Sequence, residues 1–595
     1  MTWKVVLIVL FIALTFCLSQ SAVFSVDLGS ESVKVAVVNL KPGQSPISIA
    51  INEISERNSP ALVSFHGGHR LLAEEAAGLA ARCPPKARPR GETLRFSEED
   101  FGLNVFAFRG EGRLQMRHEF GRGRKRRRLL ARGTGGRGVG LRGELEEFHA
   151  KIPIKDAVIT VPPYLGQAER RGLVVAAQLA EINVLSLINE HSGAAVQYGM
   201  DKNFLNESRH VIFYDMGSSS TYTALVYFSS DMINEYGKSV PVNQFEVKDV
   251  RWNPELGEYF ADEFNAQVGG GIDVRNFPRA MAKLRKPAKR TKEILSANTA
   301  APISVEPLHD DVDFRSTITR EKFEELCQDI WEKSLLPVKK VLQHSGLSLE
   351  RIYAVELIGG ATRVPKLQAK LQEFLGRKEL DRHLDVDEAI VLGAALHAAN
   401  LSDGIKLNRK LGIVDDSLYG FVVEFNGPDH LKDENPRQLL VPRMKKVPSK
   451  MFRSVNHDKD FEVSLAYESE HHLPPGVTSP VIAQYQISGL IDAGEKYSSR
   501  NLSSPIKANI HFSLTRSGIL SLHRADAVIE ITDWVEVPRK NLTKENSTIS
   551  SNVSTEAGAS NSSQENSQNM QTDSGISKSS NISAAEKDAA EPATD

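Results

Sequence analysis

Residues 23–38 read VFSVDLGSESVKVAVV. Apolar and polar positions alternate on either side of the Asp27-Leu28-Gly29 turn, the two-residue period of a β-hairpin with one buried face. Beyond it the chain alternates strand and helix patterns. Strands are expected at Ala157–Val161, Val184–Ile188, Val211–Tyr214 and Ala354–Ile358. Helices are expected at Gln167–Ala180, Ser192–Gly199, about Glu258–Ser296, Arg320–His344 and Asp387–Ala399. Such alternation makes a layered α/β domain, here in two related lobes. After about Asn400 the helical period is lost. Ile506, Ala508, Ile510, Phe512 and Leu514 alternate up to an Arg516-Ser517-Gly518 turn and resume at Leu520 and Leu522, a further hairpin pattern. From about Pro538 to Asp595, Ser, Asn, Thr and acidic residues replace apolar ones, and such a tail cannot bury enough surface to offset its ordering entropy.

The 595 residues leave room for about four domain-sized units. A hydrophobic fraction of 41%, a charged fraction of 25% and a net charge of −2 are ordinary for globular protein and argue against nucleic acid as the main partner. Near the start, Lys4 precedes an apolar run from Val5 to about Leu18, with Ser19 and Ser21 at signal-peptidase spacing. A membrane anchor is the alternative, but the run is shorter than the about 20 apolar residues that cross a bilayer, and no later segment is long enough. Three cysteines, Cys17, Cys83 and Cys327, exclude a disulfide scaffold. Between about Arg82 and Arg142 arginine and glycine dominate, with GRGRKRRR at residues 121–128. A nuclear-localisation or RNA-binding patch is one reading. An altered reading frame or a mispredicted exon is the better one, because a secreted chain does not meet nuclear import.

Three glycine-centred turns stand at strand ends: Asp27-Leu28-Gly29-Ser30, Asp215-Met216-Gly217-Ser218-Ser219-Ser220-Thr221 and Gly359-Gly360-Ala361-Thr362-Arg363. Glycine lets backbone approach a ligand closely, successive N–H groups form an anion nest, and leading aspartates suit the water shell of phosphate-bound Mg²⁺. Each alone is a common turn. Their order within an α/β chain makes the phosphate-cradling reading more specific. Gly269-Gly270-Gly271 lacks a preceding strand and reads as a surface turn, and neither a Gly-x4-Gly-Lys-Ser/Thr loop nor a His/Cys cluster occurs.

The two Asp-led turns resemble the phosphate motifs of the actin-like ATPase domain of the heat shock protein 70 family. The likeness continues from Ala157 through Pro162 to Arg170, similar to a connecting segment whose proline and arginine relay nucleotide state. It extends through Ile188-Asn189-Glu190, Leu357–Pro365 and Asp387–Gly393, while the hairpin Ile510–Leu522 is similar to the family's substrate-binding β-domain. The resemblance implies a signal peptide (1–21), an α/β two-lobed actin-like ATPase domain (22–406, with 82–142 aberrant), a β-sandwich substrate-binding domain (411–537) and a disordered, glycosylatable tail (538–595). It implies ATP or ADP with Mg²⁺ as cofactor. Asp27, Glu190 and Asp215 would be catalytic, with Asp27 and Asp215 holding the metal through water. Gly29, Ser30, Gly217, Ser218, Ser219, Lys292, Ser296, Gly359, Gly360, Arg363 and Asp387 would contact nucleotide, and Pro162 and Arg170 would relay its state. Ser30-Glu31, the serine-rich second turn, the signal and sequons at Asn206, Asn400, Asn501, Asn541, Asn546, Asn552, Asn561 and Asn581 point to the family's large endoplasmic-reticulum branch. The partners implied are unfolded polypeptide clients and the conventional lumenal heat shock protein 70 chaperone, with no nucleic acid and no membrane span, in the endoplasmic reticulum lumen.

Departures from the family pattern set limits on activity. The phosphate-contacting lysine should fall inside Arg82–Arg142, where no motif survives, and the second acid expected after the second turn is Tyr222. A Leu-Gly-Gly turn with its helix is compressed to Leu256-Gly257-Glu258, Pro287 is expected to interrupt the helix bearing Lys292, and neither the interdomain linker near Gly404–Lys410 nor a helical lid is recognisable. Such a chain is expected to bind ATP weakly and hydrolyse it slowly. Its rivals are a sugar kinase on the same fold, a nucleotide-independent holdase, and a nucleotide-exchange partner of the conventional chaperone.

Overall fold

A computed structural model describes residues 22–38, 45–66, 69–80, 91–95, 155–218, 220–235, 238–254, 277–309, 312–405, 407, 410–426, 436–457, 459–498 and 506–531. The expected signal peptide, most of the Arg/Gly-rich stretch, Ser219, the Leu256-Gly257-Glu258 compression and the tail lie outside the described residues.

Each half of the α/β part repeats one unit, an antiparallel hairpin whose first strand takes a parallel neighbour on its other side. Val23–Leu28 pairs with Ser32–Val38 and, in parallel, with Asp156–Val161; Ile47–Ile49 and Asn183–Asn189 extend the sheet. Arg209–Met216 pairs with Ser220–Glu235 and, in parallel, with Ile352–Ile358, while Lys238–Pro254 returns along Ser220–Glu235 as a long ribbon.

The halves exchange helices. Glu190–Gly199 follows the first sheet but lays Ala194, Ala195, Val196 and Tyr198 on Val211, Phe213, Ala224 and Phe228 of the second. Ala389–Leu401 does the reverse, placing Val391, Ala394, Ala395 and Ala398 on Val23, Ala36 and Val158 of the first sheet. The second helix is apolar almost all round because it is enclosed on every side. The two cross at glycines: a Cβ on Gly393 would stand 1.8 Å from the Gly193 carbonyl oxygen, so no side chain fits there.

Two expected helices come out differently. Arg320–His344 is three shorter helices, Arg320–Leu326, Gln328–Ser334 and Leu336–Ser345, divided at Cys327 and Leu335; Pro337 sits in the first turn of the last, where its missing N–H is no loss. Pro287 does not interrupt its helix, which runs unbroken over Pro278–Ala297. Buried Leu284 and Leu295 hold the segments on either side of the proline to the same hairpin, Ala300–His309 with Val312–Thr319, and this packing overrides the local penalty.

Beyond Asn400 two sheets face each other over one core. Arg437–Val441, Phe421–Asn426, Phe461–Tyr467 and Val481–Ile487 form one sheet; Ser449–Asn456, Lys507–Leu514 and Leu520–Val528 form the other. Phe421, Val423 and Phe461 from the first meet Val455, Ile510 and Phe512 from the second. Helix Leu490–Tyr497 lies in this region, where no helical period was expected. Strand Lys410–Ser417 pairs in parallel with Lys238–Pro254 and antiparallel with Lys445–Val447, joining the α/β part to the β part through one sheet. Among the described residues no helix is long and apolar enough to cross a membrane.

Candidate functional site

Each hairpin presents an aspartate as the penultimate residue of its first strand, Asp27 in Val23–Leu28 and Asp215 in Arg209–Met216. Both are buried, at 5% and 6% exposure. Directly across each hairpin stands a side chain that reaches the carboxylate: Lys34 Nζ lies 3.5 Å from Asp27 Oδ2, and Tyr222 Oη donates to Asp215 Oδ2 at 2.9 Å. Thr160, on the parallel neighbour, donates to Asp27 Oδ1 at 2.8 Å. Sequence reasoning missed Lys34 and Thr160, although counting back across the Leu28–Glu31 turn would have paired Lys34 with Asp27. Burial, then the charges of Asp215 and Glu190, push the Tyr222 hydroxyl well above the usual tyrosine range. It therefore stays a proton donor where an acid was expected. Glu190 opens the helix Glu190–Gly199 and is half-buried.

The turns converge. A Cβ on Gly29 would stand 2.8 Å from the Ser32 carbonyl oxygen, and Gly217 N–H closes its turn by donating to Ser220 O at 3.0 Å. The hydroxyls of Ser30 and Ser218 are 2.6 Å apart, so the first two turns touch. Gly359 has φ +82°, and a Cβ there would lie 2.4 Å from Met216 O and 2.7 Å from Asp215 Oδ1. Only glycine lets the third turn pack against the second. Beyond it Arg363 Nη2 pairs with Asp387 Oδ2 at 2.6 Å, a contact that raises the arginine pKa further. Lys289 Nζ, 3.0 Å from Glu31 Oε2, brings helix Pro278–Ala297 to the first turn. Lys292 and Ser296 lie further along that helix, and the Ser296 hydroxyl donates to Lys292 O rather than to any of the three turns.

Arg170 sits elsewhere, in a seam between the α/β and β parts. Its guanidinium donates to Leu165 O at 3.0 Å, Ser517 O at 3.1 Å and Asn189 Oδ1 at 2.7 Å, and Leu165 N–H in turn donates to Pro162 O at 3.1 Å. Asn189 Nδ2 donates to Asp415 Oδ1 at 2.9 Å. Gln167 binds the same β-domain turn twice, donating to Gly518 O at 2.7 Å and accepting from Leu520 N–H at 2.8 Å, while its own N–H donates to Tyr467 Oη at 2.8 Å. Burial lowers the Arg170 pKa, opposed by Asp415. It also drives Glu169 up to about 7 and His191 and His397 down to about 4. Gln167, Glu169 and His191 carried no expected role; their burial is a tertiary fact without a local sequence signal.

The description Hsp70 protein matches residues 141–594. The chain belongs to the heat shock protein 70 family. It is 62% identical over 586 residues to Heat shock 70 kDa protein 17 of Arabidopsis thaliana, across 95% of this chain and 66% of that protein. It is 35% identical to hypoxia up-regulated protein 1 of Rattus norvegicus, across 89% of this chain and 55% of that protein. Hypoxia up-regulated protein 1 of Xenopus laevis is 34% identical, with 91% of this chain and 87% of that protein aligned. The chain thus spans just over half the length of its rat relative. Within this heat shock protein 70 chain, the family match begins where the Arg/Gly-rich stretch ends.

Proposed function

We propose that this chain is a molecular chaperone of the endoplasmic reticulum lumen whose hold on unfolded polypeptide is set by Mg·ATP in the cleft of its actin-like domain. The convergence of three glycine turns on two buried aspartates carries this reading. The residues fit the ligand: the turns offer backbone N–H groups to phosphates, and Asp27 and Asp215 are hard oxygen donors. Bound Mg²⁺ supplies charge that neutralises the phosphate oxygens. Gly29, Ser30, Gly217, Ser218, Gly359 and Gly360 position the phosphates, Glu190 and Asp215 order the attacking water, and Arg363, Asp387, Lys292 and Ser296 frame the adenosine end.

Arg170, with Pro162 behind it, conveys the state of the lobes to the β-domain turn at Ser517. Micromolar nucleotide binding is worth about 8 kcal/mol, and moving a two-state element from 1:99 to 99:1 needs about 5.5 kcal/mol of differential affinity. Clients are extended apolar peptides. Arg437–Val441 and Ser449–Asn456 are both edge strands, carrying Leu439 and Phe452 exposed at 45% and 60%, and an edge accepts an added strand. The start of the chain supports lumenal entry, as does the exposed sequon at Asn206. Asn400 is less available, since its amide bonds both backbone groups of Leu411.

Release of a labelled apolar peptide with and without Mg·ATP tests the proposal. Faster release with ATP, abolished by Asp215→Ala, is expected; equal release in both conditions leaves the holdase reading standing. Tyr222 favours a second reading, a nucleotide-exchange partner of the conventional lumenal heat shock protein 70 chaperone, because a neutral donor in place of an acid suits binding better than turnover. Accelerated nucleotide release from that chaperone would mark this role.

A further inference from the structure

At the position facing the aspartate the two hairpins differ by a charge. Asp27, Lys34 and Thr160 lie on the sheet face that carries Val23, Ala36 and Val158, which the helix Ala389–Leu401 covers. Asp215 and Tyr222 lie on the matching face of the second sheet, covered by Glu190–Gly199. In both halves the aspartate stands one residue before the end of its strand, directly opposite a side chain that contacts its Oδ2. In the second half that side chain is a neutral phenol. In the first it is an ammonium whose side chain is only 14% exposed, beside a carboxylate at 7%. Burying a lysine is unfavourable unless it is matched by negative charge, and one carboxylate already shared with Thr160 is a thin match.

The geometry points to Lys34 as the resident cation of the phosphate site, a group that neutralises Asp27 and attracts the phosphate chain without metal. This rests on the nucleotide reading of the cleft. Lys34 offsets the charge of Asp27, while Tyr222 leaves that of Asp215 in place. Removing the ammonium does two things together: it withdraws a positive charge from the phosphates and leaves Asp27 as an uncompensated anion that repels them. Mg²⁺ corrects both, so Lys34 matters most when the metal is absent.

The test is the affinity of the full chain for ATP bearing a fluorescent ribose label, measured with Mg²⁺ and again in excess EDTA. The unmutated chain is expected to retain measurable binding in EDTA. Lys34→Met should weaken binding in EDTA at least tenfold while changing it less than threefold with Mg²⁺, and Lys34→Arg should behave like the unmutated chain. Circular dichroism checks the fold of Lys34→Met, with Lys34→Gln as the substitute if it unfolds. If chelation weakens the unmutated and charge-removed chains by the same factor, the role given to Lys34 is wrong although the nucleotide reading stands. If the unmutated chain binds in neither condition, the nucleotide reading falls and this inference with it.

Discussion

The cleft and the seam are built on opposite plans. In the cleft the two aspartates are buried and the backbone of the glycine turns is fixed, but the outer ion pairs are loose. Gly29 and Gly359 occupy positions where a single methyl group would strike a carbonyl, whereas the ion pairs around them are open to water: Arg363 and Asp387 at 50% and 43%, Lys289 and Glu31 at 50% and 32%. Exposed pairs contribute about 0–1 kcal/mol each, so a ligand can displace them at little cost. In the seam the side chains are fixed. Arg170, Gln167, Glu169, His191 and Asp415 are all under 9% exposed, and removing Arg170, Gln167 or Asp415 leaves buried partners unsatisfied. A site that must open to nucleotide is thus organised by backbone, and a joint that must transmit a state is organised by buried polar contacts.

Breaking the cleft's backbone should have the largest effect. Gly359→Ala forces a Cβ into Met216 O at a φ of +82°, for an expected loss of about 4 kcal/mol from backbone strain and overpacking. Chemical denaturation would measure it, and ATP affinity should fall in parallel; an unchanged midpoint would show that the third turn is not held against the second. Breaking the seam should cost somewhat less. Arg170→Ala strands the Asn189 amide and the Ser517 carbonyl, for a loss of about 3 kcal/mol. Hydrogen exchange at Ser517–Leu520 should rise while that of Val23–Leu28 stays slow, and equal protection in both proteins would remove Arg170 from the joint.

Acid should loosen the seam more gently. His191, facing Asp415 and Arg170, and His397, facing Asp415 and Arg516, are held near 4 by burial, below the ordinary 6.5. The packed state favours their neutral forms, so their contribution is complete above about pH 6.5 and is lost as pH falls toward 4. Glu169, beside Arg170, runs the other way: burial raises it from 4.5 to about 7, so its penalty appears as pH rises through that range. Two histidines outweigh one glutamate, and stability should fall on acidification from pH 6.5 to 5. In His191→Leu with His397→Leu only the glutamate remains and the slope should reverse. A melting temperature flat over this range in both proteins would show that these groups are not buried together in solution.

Legibility in the sequence followed the range of the interaction. The hairpin at Val23–Val38 was readable because a two-residue alternation around glycine leaves few other ways to bury one face. So were the strands near Val158, Ile188, Ile212 and Val355, although each proved a residue or more longer than its apolar core. The Arg320–His344 segment kept helical spacing overall, but turns at Cys327 and Leu335 divide it into three short helices, and of the two breaks only the second carries a local signal, Pro337 in the first turn of the last helix. Lys34 was overlooked because its partner lies across a turn rather than along a helix face.

By itself the sequence determined the repeated strand-and-helix order, the two Asp-led turns and the Gly359–Arg363 turn, because backbone conformation at glycine and the burial period of a strand are local properties. The tertiary structure alone decided that Ser30 meets Ser218, that Gly359 lies on Asp215, that helices exchange sheets at Gly193 and Gly393, and that Arg170 faces Ser517. These contacts join residues up to several hundred positions apart, and only the packing of whole sheets brings such distant groups within hydrogen-bonding reach.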